Sequence, residues 1–191
     1  MTRVRRSADT KAAILAAART RFAAEGYRSA SLRAVARDVG VDAALVVRYF
    51  GSKPGLFAAA IELDLRIPDL AGTPTDEHGA RLVEHFLTRW DPATPEGEVL
   101  LGMLRSAAGD AAAAAGMREL FAAQLVPGLG RLIPDRSEVP QRAALVASQM
   151  LGLALTRSVL ELPPLDAMPP AVLAATVGAT LQRYLHDPLR G

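Results

Sequence analysis

The stretch SLRAVARDVGVDAALVVRYFGSK, residues 31 to 53, constrains the fold more than any other part of the chain. Ser31 is placed to cap a short helix with Leu32, Val35, Ala36 and Val39 on one face. Gly40 breaks that helix at a position needing positive φ, which glycine adopts without steric cost. Asp42 caps a third helix running to Phe50, and Ser52 opens a fourth that is expected to continue to about Leu65. Joints this short force steep crossings between the helices and exclude a parallel bundle. The helix after Asp42 is unusual because its apolar residues are not confined to one face. Val46 and Phe50 suit a core, but Leu45, Val47 and Tyr49 then point elsewhere, and Arg48 is its one charged residue. Such a surface calls for a partner other than water.

The distribution of charge indicates the kind of partner. Residues 1 to 57 carry eleven Lys or Arg against four Asp or Glu, a net +7, and the remainder carries eleven against sixteen, a net −5. A basic head on an acidic body suits a polyanion binder whose second part does something else, the plain alternative being a solvated basic face. Half of the residues are apolar, so material for a core is ample. Cysteine is absent, which excludes disulfides, thiol catalysis and cysteine-ligated zinc and fits a reducing compartment. The basic N-terminus is not followed by the apolar run of a secretory signal. The longest apolar stretch, 143–156, is interrupted by Ser148 and Gln149 and is too short to span a bilayer. A soluble, cytoplasmic protein without membrane contact is expected.

Helical periodicity dominates the rest, and strand signals are nearly missing. A first helix is expected from Asp9 or Thr10, with Ile14, Ala18 and Phe22 repeating every four residues, to a stop at Gly26. After a linker at 68–74 come helices at about 76–90 and 96–108, and an alanine-rich helix to about Leu125. Pro127, Gly128, Gly130 and Pro134 mark a connection, followed by a long helix over about 139–162 and a last one over about 170–185. The expected fold is all-α: an N-terminal helix-turn-helix domain over 1–66 and a larger helical-bundle domain over 67–191.

The segment around Gly40 meets the demands of a helix-turn-helix. Its two helices bury a small shared core of Leu32, Val35, Val39, Val46 and Phe50, and the second offers its other face to base edges in the major groove. Leu45, Val47, Ala43 and Ala44 then meet thymine methyls in place of water. The block ILAAARTRFAAEGY through SLRAVARDVGVDAALVVRYFGSKPGLF resembles the tetracycline-repressor (TetR) type of bacterial transcription regulator. Phe22, the Gly26-Tyr27 pair, the Ser-Leu-Arg opening of helix two, the Gly-Val turn and Phe50, Lys53 and Leu56 carry the likeness, over about residues 10 to 61. The segment QMLGLALTRSVLELPPLDAMPPAVLAATVGATLQRYL is similar to an actinobacterial subset of these proteins.

The resemblance implies roles residue by residue. Ser31 and Lys53 would hold phosphates, one through a helix end and one as a point charge. Arg33 would reach a phosphate or a base, and Arg48 is the candidate for a bidentate guanine contact. Ala43, Ala44, Leu45 and Val47 would line the groove, while Arg3, Arg5 and Arg6 form a flexible arm for an adjacent minor groove. The chain departs from the family where many members carry Leu-Tyr-x-His-Phe and it has Val46-Val47-Arg48-Tyr49-Phe50. The Tyr49 hydroxyl can replace the usual histidine at a phosphate, but Val47 has no hydrogen bond to offer in place of the usual tyrosine.

In such regulators the second domain senses a small molecule and forms a four-helix bundle with a second subunit. Small and apolar residues on the last two helices, Ala147, Leu151, Ala154 and Leu155 on one and Ala171, Ala175, Gly178, Ala179 and Tyr184 on the other, favour a close homodimer contact, the alternative being an intrachain bundle. Pocket candidates are Phe86, Trp90, Met103, Leu104, Met117, Phe121 and Met150 with Gln124, Gln149 and Arg157 as polar anchors, each apolar one also suiting plain core packing. Arg157 has three roles open to it: snorkelling, pairing with an acid across a dimer, or meeting an anionic ligand. His78 and His85 lie seven apart with Glu84, which falls short of a metal site, and no cofactor motif or catalytic signature is present. The expected protein is therefore a DNA-binding regulator rather than an enzyme. It would be a homodimeric repressor that an unidentified small molecule releases from a palindromic double-stranded operator, the alternative being an activator or ligand-independent regulator with the same head.

Overall fold

The computed structural model describes the backbone of residues 2–60, 64–109 and 111–189, and the side chains there except those at 2–6, 23, 26–28, 95 and 112–113. The described residues are mostly helical and contain no strand. The helices are α1 (Thr2–Ser29), α2 (Leu32–Val39), α3 (Ala43–Phe50), α4 (Lys53–Ala60), α5 (His78–Arg89), α6 (Pro95–Ala107), α7 (Ala111–Leu120), α8 (Val126–Leu129), α9 (Val139–Ala154) and α10 (Pro170–His186). A π-turn over Phe121–Leu125 joins α7 to α8, and a second over Leu155–Val159 extends α9. The chain divides into two compact units, one gathering Met1–Leu63 with Gly102–Met117 and the other Asp64–Leu101 with Arg118–Gly191. The division expected at 66/67 leaves out this return of 102–117 to the first unit.

In the first unit the core follows the helical periodicity. Ile14, Ala18 and Phe22 of α1, Val35 and Ala36 of α2, Val46 and Phe50 of α3, and Leu56 and Phe57 of α4 are buried. Removing each large apolar side chain from water contributes roughly 1.5–3 kcal/mol, and the Phe22 ring meets Phe57 edge-on at 4.6 Å. Helix α1 is longer than its sequence signals at both ends. Nothing from Thr2 onward breaks a helix, and Gly26 is carried within it because a single glycine costs only about 1 kcal/mol, less than packing α1 on its neighbours returns. The arm expected at Arg3, Arg5 and Arg6 is thus helical in its backbone, and the side chains of these arginines lie outside the described residues.

The second unit is built around Leu82 and Val83 of α5, Leu129 of α8, Val139, Ala143, Val146, Met150 and Leu153 of α9, and Leu173, Leu181 and Leu185 of α10. Helices α5 and α10 cross at backbone contact. A methyl group added at Gly79 would overlap the Gly178 carbonyl, and one at Gly178 would sit 2.7 Å from the Ala80 Cα. Gln182 fastens the same crossing, accepting from the Gly79 N–H at 2.9 Å and donating to the Thr75 carbonyl at 2.8 Å. Arg142 is buried yet satisfied: it pairs with Glu138 and donates to the Tyr184 and Asp187 carbonyls at 2.7 and 2.9 Å. It thereby closes the C-terminal turn of α10, where free carbonyls and the helix dipole favour a cation.

Three boundaries differ from expectation for identifiable reasons. The fourth helix does not reach Leu65, because the Leu65 N–H and carbonyl are bonded to Gln124 and His85 and Arg66 turns to φ +50. Pro127 and Gly128 lie inside α8, where proline is tolerated because a first-turn N–H has no helical partner. The long helix expected to about 162 ends in a π-turn closed by the Leu160 N–H on the Leu155 carbonyl at 2.8 Å.

Candidate nucleic-acid interface

The helix-turn-helix is assembled by local polar contacts. The Ser31 hydroxyl accepts from the Ala34 N–H at 3.2 Å, capping α2. Gly40 then adopts φ +70, and its N–H and that of Val41 close on the Arg37 and Ala36 carbonyls. The Asp42 carboxylate accepts from the Ala44 N–H at 2.7 Å and starts α3. After Phe50, Gly51 again takes a positive φ, and Ser52 caps α4 through the Gly55 N–H at 3.2 Å. Gly55 has no alternative residue here, since a Cβ would run into the Phe50 carbonyl.

These joints set the faces of α3. Val46 and Phe50 are buried, whereas Ala44, Val47 and Arg48 are exposed and Ala43, Leu45 and Tyr49 are half-buried. An apolar Val47 left 39% exposed beside Arg48 makes a surface of methyls and one guanidinium, the donor and apolar pair that base edges accept. Arg33 is exposed and Ser31 stands at the N-terminus of α2, whereas Lys53 is half-buried at the start of α4. The structure thus brings Ser31, Arg33, Ala43, Ala44, Leu45, Val47, Arg48, Tyr49 and Lys53 onto contiguous elements, with Ala43 and Leu45 less open than a groove-lining role asks.

Two contacts have no counterpart in the local pattern. Tyr49 hydrogen-bonds through its hydroxyl to the Ser7 hydroxyl at 2.8 Å, tying the beginning of α1 to the recognition face. Arg48 stacks over the Tyr49 ring at 5.6 Å, and the Lys11 ammonium lies 5.7 Å from the Phe50 centroid. Ser7 and Lys11 were not legible as site residues because their partners lie about forty positions away. Helices α1 and α2 are also joined by ions: Arg21 pairs with Asp38 and Glu25. The hydrogen bond from Arg21 holds the Asp38 carboxyl below the usual carboxylate range, against the opposing effect of desolvation.

The pocket candidates are divided between the two units. Met103, Leu104 and Met117 belong to the first unit, and Phe86, Trp90, Phe121, Gln124, Gln149, Met150 and Arg157 to the second. Met150 is a core residue, Phe86 and Phe121 pack against that core, and Gln149 is half-buried. Phe86 stacks on the buried Trp90 at 4.9 Å. Arg157, with three roles open to it, donates to the Leu165 and Met168 carbonyls, both at 2.8 Å, and so holds the loop between α9 and α10.

The dimer candidates divide by burial. Gly178 is covered by α5, and Ala147 and Ala154 are buried within the chain, because their spacing serves the intrachain α5, α9 and α10 packing. Leu155, Ala171, Ala175 and Ala179 are exposed and Leu151 and Tyr184 are half-buried. His78 and His85 face different partners, His186 and the Leu65 carbonyl. Among the described residues no three His, Asp or Glu side chains are grouped to hold a metal, and no helix is long and apolar enough to cross a membrane.

Comparison with known proteins agrees with this geometry. Residues 14–60 match the family model for bacterial regulatory proteins of the tetR family, and residues 76–185 match that for the tetracyclin repressor-like C-terminal domain. The crystal structure of a TetR-family regulator from Streptomyces coelicolor A3 is similar at 34% identity, over 92% of this chain and 94% of that one, with a TM-score of 0.57. A transcriptional regulator from Rhodococcus sp. Rha1 shares the fold at 22% identity over 94% of this chain and 99% of its own, with a TM-score of 0.53. No curated protein matches the chain.

Proposed function

Because the chain belongs to the TetR family of bacterial transcriptional regulators, a family of DNA-binding proteins and not of enzymes, we propose that it is a homodimeric repressor released from a palindromic operator by a small molecule. The observation that carries the reading is the division of α3 into a buried edge, Val46 and Phe50, and an open edge, Ala44, Val47 and Arg48. Arg48 reads guanine through its fork, and the methyls of Ala44 and Val47 read thymine. Ser31, Arg33 and Lys53, with Arg3, Arg5 and Arg6 at the start of α1, neutralise phosphates around that contact.

Two-fold operators need two-fold proteins. The surface that supports self-association is the outward edge of α9 and α10, Leu151, Leu155, Ala171, Ala175 and Ala179, with Tyr184 beside it. The small side chains of Ala171, Ala175 and Ala179 let a partner helix approach closely. In the bound dimer the two recognition helices stand about one DNA turn apart, roughly 34–36 Å. An effector favouring another separation weakens operator binding only by its differential affinity for the two states.

Selection from a random duplex library followed by a salt titration tests the reading. A palindrome should be enriched and bound with a steep salt dependence, and Arg48→Ala should relax preference mainly at one base position in each half-site, at about 1–3 kcal/mol. An enriched site without two-fold symmetry would reject the dimer, and an Arg48→Ala loss spread evenly over all sequences would reject the assignment of α3.

A further inference from the structure

Asp64 is the first residue of the second unit. Three side chains encircle its peptide link to Leu65. From α5, Arg89 Nη2 donates to the Asp64 carbonyl at 2.6 Å, and one helical turn earlier His85 Nε2 lies 2.9 Å from the Leu65 carbonyl. From the π-turn after α7, Gln124 Oε1 accepts the Leu65 N–H at 2.7 Å. The Leu65 carbonyl can only accept, so His85 carries its proton on Nε2. Every hydrogen-bonding group of one secondary amide and of the next carbonyl is thereby read by a side chain. No helix or sheet supplies these bonds.

Two further observations distinguish the cluster from an ordinary loop anchor. Arg89 Nε is buried and has no hydrogen-bond partner among the described residues, so the cluster holds a donor that its resident peptide does not use. The peptide is also held in an unfavourable backbone: Arg66 takes φ +50, a region that residues bearing a Cβ rarely adopt, supported by its N–H on the Asp64 carboxylate at 2.8 Å. An aromatic stack, Phe86 on Trp90, runs along the same helix.

We infer that His85, Arg89 and Gln124 form an amide-recognition site whose resident occupant is the chain's own Asp64–Leu65 peptide, displaceable by an N-acyl amino-acid derivative. Such a ligand presents an acyl carbonyl, an N–H and a second carbonyl in the same order as Asp64 and Leu65. It also brings an acceptor for Arg89 Nε when its acyl group carries a further oxygen. The inference rests on the proposed effector-responsive regulator for its biological sense, but not for its test.

The probe is N-acetyl-L-leucine N-methylamide, which reproduces the Asp64 carbonyl, the Leu65 amide and the Leu65 carbonyl. The full-length protein is titrated with it while amide exchange at Leu65 and the emission of Trp90, the one tryptophan of the chain, are followed. Leu65 exchange should rise at least tenfold and saturably, with a parallel change in Trp90 emission. The analogue methylated on the leucine nitrogen, which has no N–H for Gln124, should do neither. Gln124→Leu should expose the Leu65 amide at least tenfold without any probe. A protected Leu65 amide that ignores the probe, an equal response to both compounds, or an amide unprotected from the start would each overturn the site. Operator selection is read separately, so loss of the repressor reading and loss of this site are distinguishable.

Discussion

The crossing of α5 and α10 permits a prediction whose magnitude can be worked from the structure. At Gly178 a new methyl carbon would stand 2.7 Å from the Ala80 Cα and 2.8 Å from its nitrogen, where ordinary contact begins near 3.4 Å. The obstacle is backbone on both sides, so no rotamer change relieves it. The helices must separate by a substantial part of an ångström, loosening Leu82, Val83, Leu173 and Leu181 and straining the Gln182 bonds. Overpacking of this kind costs typically 1–3 kcal/mol and sometimes more, and alanine returns about 1 kcal/mol of helix propensity. With backbone on both sides the upper part of that range, about 2–3 kcal/mol, applies, so Gly178→Ala should destabilise by about 1–2 kcal/mol net, lowering the melting temperature by roughly 2–8 °C at this chain length. Gly79→Ala, whose methyl would overlap a carbonyl oxygen, should cost more. Thermal unfolding at matched protein concentration measures both, the concentration being held because self-association adds to apparent stability. A Gly178→Ala protein as stable as its parent would refute the backbone contact.

Gly152 provides the contrast, since a methyl there meets nothing within 4 Å on the open edge of α9. Gly152→Ala should raise the stability of the isolated chain by about 0.5–1 kcal/mol through propensity, and weaken the dimer if a partner helix packs there; sedimentation at two concentrations separates the two effects. Tyr49→Phe removes the bond to Ser7, an exposed one, so unfolding should shift by no more than about 0.5–1 kcal/mol; operator affinity should fall several-fold as α1 loosens from the recognition face, in a binding titration. The basicity of His186 is lowered by burial first and then by the neighbouring His78 and Arg142, Asp187 opposing. The unfolded chain therefore takes up this proton near pH 6.5 while the folded chain does not, and stability should fall as pH drops through about 6.5 towards the lower folded value. His186→Gln should flatten that segment of the profile. Asp38 contributes in the same sense at lower pH, its salt bridge to Arg21 being lost as the carboxylate protonates below its depressed range.

What could be read in advance was what the chain decides locally. Ser31, Gly40 and Asp42 act on residues within five positions of themselves, so the limits of α2 and α3 were legible to the residue. The non-helical course at Leu65 was not, because it is decided by His85 and Gln124, twenty and fifty-nine positions away. The spacing of small residues on α9 and α10 was visible, but spacing does not say which helix fills the groove. Gly178 meets α5 of its own chain, and Ala175, one turn earlier, remains open. Arg157 looked available for a ligand because nothing in the local pattern reveals that the carbonyls of Leu165 and Met168 return to it.

The open edge of α3 has a consequence for what this protein perceives in a genome. In the proposed complex α3 meets bases through Ala44 and Val47, and would register the methyl carbon at position 5 of a pyrimidine and not the ring that bears it. Thymine and 5-methylcytosine present that carbon alike, and uracil and unmodified cytosine both lack it. The epigenetic state of the DNA would then tune occupancy at an unchanged operator sequence, and uracil in place of a contacted thymine would behave as a mismatch although every hydrogen bond of the base pair is intact.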